Sequence, residues 1–129
     1  MPPKPLRKAA AAPASPEAQA ITQALLRAAD QLAMPDRVLA KVIGVPDATL
    51  ARVRGGEALP EEGKALELAV LFTRLWRSLD AIVDGDAKAA REWMNHHNPV
   101  LDGTPMETVQ TITGLVEAIH YLDAPKPIF

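Results

Sequence analysis

Between Glu61 and Val83 the chain reads EEGKALELAVLFTRLWRSLDAIV. Leu68, Phe72, Leu75, Trp76, Leu79, Ile82 and Val83 recur there at the three- and four-residue intervals of one helix face. Ala69, Val70 and Leu71 widen that face. A helix apolar over so much of its circumference cannot stand in water alone, so it is either the centre of a helical assembly or shared between subunits. Trp76 reads as core, and Asp84-Gly85 closes the segment.

Composition agrees with a helical chain. Aromatic residues make up only 4% of the 129 residues, alanine and leucine dominate, and no stretch carries the enrichment that strands need. This length accommodates one compact domain or two small helical ones sharing a core. The absence of cysteine excludes a disulfide framework and thiolate chemistry. Charge interrupts every apolar run well before membrane-spanning length, and the N-terminus lacks an apolar signal core, so a soluble cytoplasmic chain is expected. Charge is unevenly divided: Lys4, Arg7 and Lys8 stand at the front without an acid, whereas residues 84–129 carry a net charge of -4. A basic front suits a polyanion and an acidic end suits a different partner, although ordinary solvated surface would look the same.

Residues 1–16 are rich in proline and alanine and are expected to be disordered. Ser15-Pro16-Glu17 then supplies a cap, a proline and an acid for a helix carrying Ile21, Leu25 and Leu32, which should end near Ala33, before Pro35. From Asp36 the sequence DRVLAKVIGVPDATLARVR has the layout of a helix-turn-helix. Ala40 is small where two helices cross, Gly44 permits a positive backbone angle in the tight turn, and Leu50 plugs the core from the second helix. If the second helix is a recognition helix, Leu50 and Val53 face inward and Asp47, Ala48, Thr49 and Arg52 lie toward the major groove. Arg52 is placed to bond guanine, with Lys41 and Arg54 at phosphates. This face is weakly basic, so a paired unit should bind DNA far better than a single one. The unit resembles the Xre-like antitoxin DNA-binding domain, though helical proteins that never touch DNA carry similar patterns.

A second ordered pattern runs from Asp84 to Gly114. Asp86 can cap a helix bearing Ala87, Ala90, Trp93 and Met94 that should stop near His97. Asn98-Pro99 and Asp102-Gly103 then form turns, and Thr104-Pro105 begins another helix. Beyond it, Val109, Ile112, Leu115, Val116, Ile119 and Leu122 predict a buried face, with Glu117 and His120 toward solvent. Pro125 and Pro127 end regular structure, leaving Ile128 and Phe129 as large apolar side chains that a dimer mate or a partner's cleft would have to cover.

The order Ala90-Arg91-Glu92-Trp93-Met94, Asn98-Pro99-Val100-Leu101-Asp102-Gly103, Pro105 and Thr111-Ile112-Thr113-Gly114 resembles the toxin-binding domain of the MbcA/ParS/Xre antitoxins over about thirty residues. Two positions depart from that family's pattern: His96-His97 replaces a less polar pair, and Asp102 stands where glycine is usual. The resemblance implies an antitoxin that covers the active site of a RES-domain toxin, an enzyme consuming NAD or transferring ADP-ribose, and that represses its own operon. It also implies that Arg91, Trp93, Met94, Asn98 and Pro99 form the toxin-binding surface, with Ile128 and Phe129 of the tail approaching the toxin's entrance. A core role for Trp93 is the competing reading.

Catalytic signatures are missing: there is no G-x-S-x-G, glycine-rich phosphate loop or paired catalytic carboxylate. His96, His97 and His120 lack metal-ligand spacing, so neither an enzyme, a metal nor a cofactor is expected. The expected fold is all-α, with a tail over 1–16, a helix-turn-helix domain over 17–60, a connecting or dimerisation helix over 61–83, and a small helical toxin-binding domain with C-terminal tail over 84–129. The expected partners are a RES-domain toxin, operator DNA and a second copy of the chain, without a membrane. A stand-alone helix-turn-helix regulator with a dimerising or ligand-sensing C-terminal part, and a purely structural interaction module, are the alternatives.

Overall fold

The computed structural model describes residues 14–125. Lys4, Arg7 and Lys8 and the tail Lys126 to Phe129, including Ile128 and Phe129, lie outside the described residues. The fold is all-α: α1 (Pro16–Gln31), α2 (Asp36–Ile43), α3 (Asp47–Arg54), α4 (Lys64–Ile82), α5 (Ala87–Asn95), α6 (Pro105–Thr108) and α7 (Ile112–Asp123). Among the described residues the nearest thing to a strand is an isolated antiparallel bridge between Asn98 and Gly103.

The long apolar segment forms the central helix. α4 buries Leu68, Ala69, Phe72, Thr73, Leu75 and Leu79, and it packs against α1 and α2 and also against α7. One apolar cluster therefore runs unbroken from Leu25, Leu39 and Leu50 through Phe72 and Leu75 to Met94, Leu115 and Leu122. Trp76 packs at the edge of that cluster, half-buried. Ile82, which the periodicity placed in the stripe, is 51% exposed. At 100° per residue it lies about 80° from Phe72, at the fringe of the buried arc and in the final turn. Val70 falls nearly opposite Phe72 and is 47% exposed.

Helix ends differ from expectation by local chemistry. α1 opens as expected, with the Ser15 hydroxyl accepting from Ala18 N–H at 3.0 Å and Pro16 in the first turn. It ends at Gln31 because Ala33 takes a left-handed conformation, φ 53°, and Met34 N–H turns back to the Ala29 carbonyl at 2.9 Å. Residues 61–63 do not join α4. Gly63 precedes it at φ 108°, and the Glu61 carboxylate instead accepts from Ser15 N–H at 2.8 Å. Thr22 ties the intervening loop to α1: its buried hydroxyl donates to the Ala18 carbonyl at 2.7 Å and accepts from Leu59 N–H at 3.0 Å. Both bonds keep a polar group inside the core satisfied.

At the far end, Asp123 closes α7 onto α4. Its carboxylate accepts from the Ser78 hydroxyl at 2.6 Å and from Arg74 at 2.9 Å. These bonds, Ser78 first and Arg74 second, hold the carboxyl below the usual carboxylate range. A depressed folded-state pKa contributes stability that is complete above the unfolded-state pKa and is lost as pH falls through the folded one. Asp123→Asn should therefore lower the thermal midpoint at neutral pH and shrink its fall on acidification, read by circular dichroism from neutral to strongly acidic buffer.

Candidate functional site

The first candidate surface is built by α2 and α3. Ala40 is 1% exposed where the two helices meet, and Gly44 ends α2 at φ 69°. A methyl group added to Gly44 would meet only the Leu68 side chain at an ordinary 3.8 Å, so backbone conformation and not space requires glycine here. Val45 N–H closes the turn on the Ala40 carbonyl at 2.9 Å. α3 buries Leu50 and Val53. That orientation leaves Asp47, Ala48, Ala51 and Arg52 exposed together, four positions that helical geometry places within one arc. Ala51, which the sequence analysis does not name, joins that arc, and its spacing of three and four residues from Ala48 and Asp47 is the signal that marks it. Thr49 stands at the flank, half-buried, where its hydroxyl accepts from Arg52 at 3.3 Å.

The basic residues of this surface differ in freedom. Lys41 is exposed. Arg52 lies 3.4 Å from Glu57 in an ion pair whose two side chains are mostly in solvent, which contributes little. Arg54 is gripped by Asp30 of α1 at 2.9 Å and Asp36 of α2 at 3.0 Å, with its own side chain 29% exposed. The Asp30 hydrogen bond, ahead of the Asp36 contacts, raises the pKa of an already cationic guanidinium. Arg54 thus braces three helices, and contact with a phosphate would compete with two carboxylates.

The second candidate surface is α5, α6, α7 and their loops. The Asp86 carboxylate caps α5 by accepting from Ala89 N–H at 3.2 Å, and Ala90 and Met94 turn inward. Trp93 is half-buried and stacks on Tyr121 of α7, ring centroids 6.2 Å apart at an interplanar angle of 23°. Arg91 reaches the other half of the molecule, donating to the Gln31 carbonyl at the end of α1 over 3.3 Å. Two residues expected at the surface lie inside. Met94 is 0% exposed because α5 presents it to the core, and Asn98 is 8% exposed because its side-chain oxygen is used by the loop. That oxygen accepts from Val100 N–H at 2.9 Å and Leu101 N–H at 3.2 Å, while Asn98 N–H donates to the Gly103 carbonyl at 2.9 Å. The loop pushes Pro99 and Val100 outward, Val100 to 72% exposure.

Backbone geometry accounts for two positions of the pattern that carries the resemblance. Asp102 sits at φ 55°, the left-handed region in which glycine is easiest and aspartate is among the better tolerated substitutes. In Thr111-x-x-Gly114, the Thr111 hydroxyl caps α7 by accepting from Gly114 N–H at 3.0 Å. A methyl group on Gly114 would overlap the Thr108 carbonyl. Thr104 caps α6 as expected, with Pro105 in its first turn. Ile112, expected on the inner face of α7, is 60% exposed. It is the first helical residue, and periodicity carries no information about where the packing partner ends. Among the described residues His96, His97 and His120 form no three-ligand cluster. The ring Nδ1 of His96 lies 2.6 Å from the Glu92 carbonyl.

Comparison with known families separates the same two halves. Residues 7–74 match the family model for the antitoxin Xre-like helix-turn-helix domain, and residues 78–125 match that for the antitoxin Xre/MbcA/ParS C-terminal toxin-binding domain. No curated protein matches the chain. No helix among the described residues is long and apolar enough to cross a membrane.

Two substitution sets probe these surfaces without any partner. Gly114→Ala should destabilise the fold by about 1–3 kcal/mol through overlap with backbone that cannot yield easily, measured by urea unfolding. Arg54→Lys, which loses the planar fork between two carboxylates, should cost about 1–2 kcal/mol. By the same measurement Arg52→Ala should stay within about 0.5 kcal/mol of the parent.

Proposed function

The chain belongs to the Xre-like helix-turn-helix antitoxin family, and from that premise we propose that it neutralises a RES-domain toxin by covering its active site and represses its own operon through α3. The observation carrying this reading is that the toxin-binding match covers α5, α6 and α7 entire, the unit that α4 holds against the core. Inhibition of this kind needs an occluding surface and no chemistry of the antitoxin's own. An aromatic side chain on a rigid helix suits that task, because it offers large contact area for little lost entropy. Trp93, fixed by Tyr121, is that side chain, with the projecting Pro99 and Val100 beside it in sequence. Arg91 contributes to the same face. Asn98 and Met94 act from within, one shaping the loop and the other seating α5. Ile128 and Phe129 of the tail complete the contact.

On DNA, Asp47, Ala48 and Arg52 meet base edges, with Thr49 steadying Arg52. Lys41 lies at the phosphates, where Arg54 joins it only by exchanging a carboxylate for a phosphate oxygen. Two copies of the chain act together in the cytoplasm, since one α3 offers too few cationic contacts for tight binding.

The test is an NAD assay with the product of the adjacent gene. Equimolar wild-type chain should stop NAD loss. Trp93→Ala combined with Val100→Asp should weaken inhibition by about tenfold or more, as for loss of a central anchor. If the enzyme destroys NAD at an unchanged rate under saturating chain, the toxin reading is wrong. Operator binding without any capture of that enzyme would instead identify a stand-alone regulator.

A further inference from the structure

The exposed arc of α3 carries a single long donor. Of Asp47, Ala48, Ala51 and Arg52, the two alanines have no polar side-chain atom and an ionised aspartate can only accept a hydrogen bond. What this arc distinguishes by donation it distinguishes through the Arg52 guanidinium, so the direction in which that group points decides what can be read. Two neighbours set the direction. Arg52 Nε lies 3.4 Å from Glu57 Oε2, and Arg52 Nη2 donates to the Thr49 hydroxyl at 3.3 Å. Nε–H and the adjoining N–H of Nη2 form one edge of the planar guanidinium, so both contacts are made on that inner edge. Among the described residues nothing takes the outer edge, Nη1 with the second N–H of Nη2. That edge offers the paired donors that guanine O6 and N7 accept in a major groove.

Glu57 is delivered to this place by the way α3 ends. Residues five apart do not share a face of a continuing helix. Here Gly56 takes φ 117°, Gly56 N–H donates to the Val53 carbonyl at 3.1 Å, and Glu57 N–H donates to the Arg52 carbonyl at 3.1 Å. The chain doubles back over the last helical turn through a glycine in the left-handed region, and the backbone of Glu57 is tied to the residue whose side chain Glu57 meets. In water this ion pair contributes little, because its side chains are 59% and 60% exposed. A duplex laid on α3 would exclude that water and lower the local dielectric, so the contact strengthens at the moment bases are read.

We infer that Glu57 is a positioning residue for base recognition: with Thr49 it occupies the inner edge of Arg52 and commits the outer edge to a guanine. The inference rests on the reading of α3 as the operator-binding helix, and deepens it by naming the base and a residue beyond α3 that selects it. A guanidinium free to turn would still attract phosphates, which carry no sequence information. Glu57 therefore acts on discrimination, while its own negative charge opposes attraction to DNA of any sequence.

Competition binding with the full chain decides it. The probes are the duplex preceding the chain's own gene, versions in which each G·C pair in turn becomes A·T, and a scrambled duplex. For the wild type, one guanine in each half-site should be worth about tenfold in affinity, and Arg52→Ala should lose that dependence. Glu57→Ala should cut it to about threefold or less while binding scrambled duplex about twofold more tightly, because an acid leaves a surface that faces phosphates. Glu57→Gln, which keeps an acceptor oxygen without the charge, should show the same gain on scrambled duplex and retain more of the guanine dependence. Guanine dependence undiminished in Glu57→Ala, dependence that survives Arg52→Ala, or an equal weakening of every duplex by Glu57→Ala would each overturn the assignment and leave operator binding standing. A wild type that binds native and scrambled duplexes equally would overturn the operator reading and this inference with it.

Discussion

The burial of α4 is what the rest of the molecule depends on. Phe72, Leu75 and Leu79 are at most 1% exposed, and withdrawing a side chain of that size from water contributes about 1.5–3 kcal/mol. The surface ion pairs, such as Lys64 with Glu67, contribute at most about 1 kcal/mol apiece. Because α1 and α2 pack on the same helix as α7, neither half can be removed without exposing apolar surface of α4. The chain is thus organised as two interaction surfaces carried by one shared core, and the hydrogen-bonded details, Thr22 to Leu59 and Asp123 to Ser78, position the periphery of that core.

Much of this was legible from residue spacing. The period of the 68–83 stripe, the Ala40–Gly44–Leu50 spacing and the Ser15, Asp86 and Thr104 caps all encode local preferences that tertiary packing then reinforced. What spacing does not carry is the extent of burial at helix ends: it puts Ile82 and Ile112 inside, although both are more than half exposed. The motif likewise puts Met94 and Asn98 on the binding surface, although both are buried. A motif records which residues a family keeps, and it does not separate those that touch a partner from those that shape the part that does. The Asn98 side chain, spent on two backbone N–H groups, belongs to the second kind. The Arg54 brace was invisible for another reason: Asp30 and Asp36 lie on two different helices, and their convergence on one guanidinium is a product of the fold.

The two surfaces differ in their physics. The α3 face is small and close to charge balance, since Arg52 and Arg54 both face carboxylates. Affinity for DNA would then come from doubling the unit more than from any one contact. The α5–α7 face instead carries Trp93 stacked on Tyr121, both half-buried, and an exposed loop tip at Pro99 and Val100. Arg91 spans the two halves, bonding the end of α1, whose neighbouring Asp30 grips Arg54.

If distinct ends of one helical core serve distinct partners, each partner should shield its own end of the molecule and leave the other unchanged. Backbone amide hydrogen exchange of the full chain, recorded alone, with the toxin and with operator DNA, tests it most directly. Added toxin should slow exchange in α5, in the 98–103 loop and in α7 while α3 is unaffected, and added operator should protect α3 alone. Toxin protection confined to α3, or spread evenly over every helix, would contradict it.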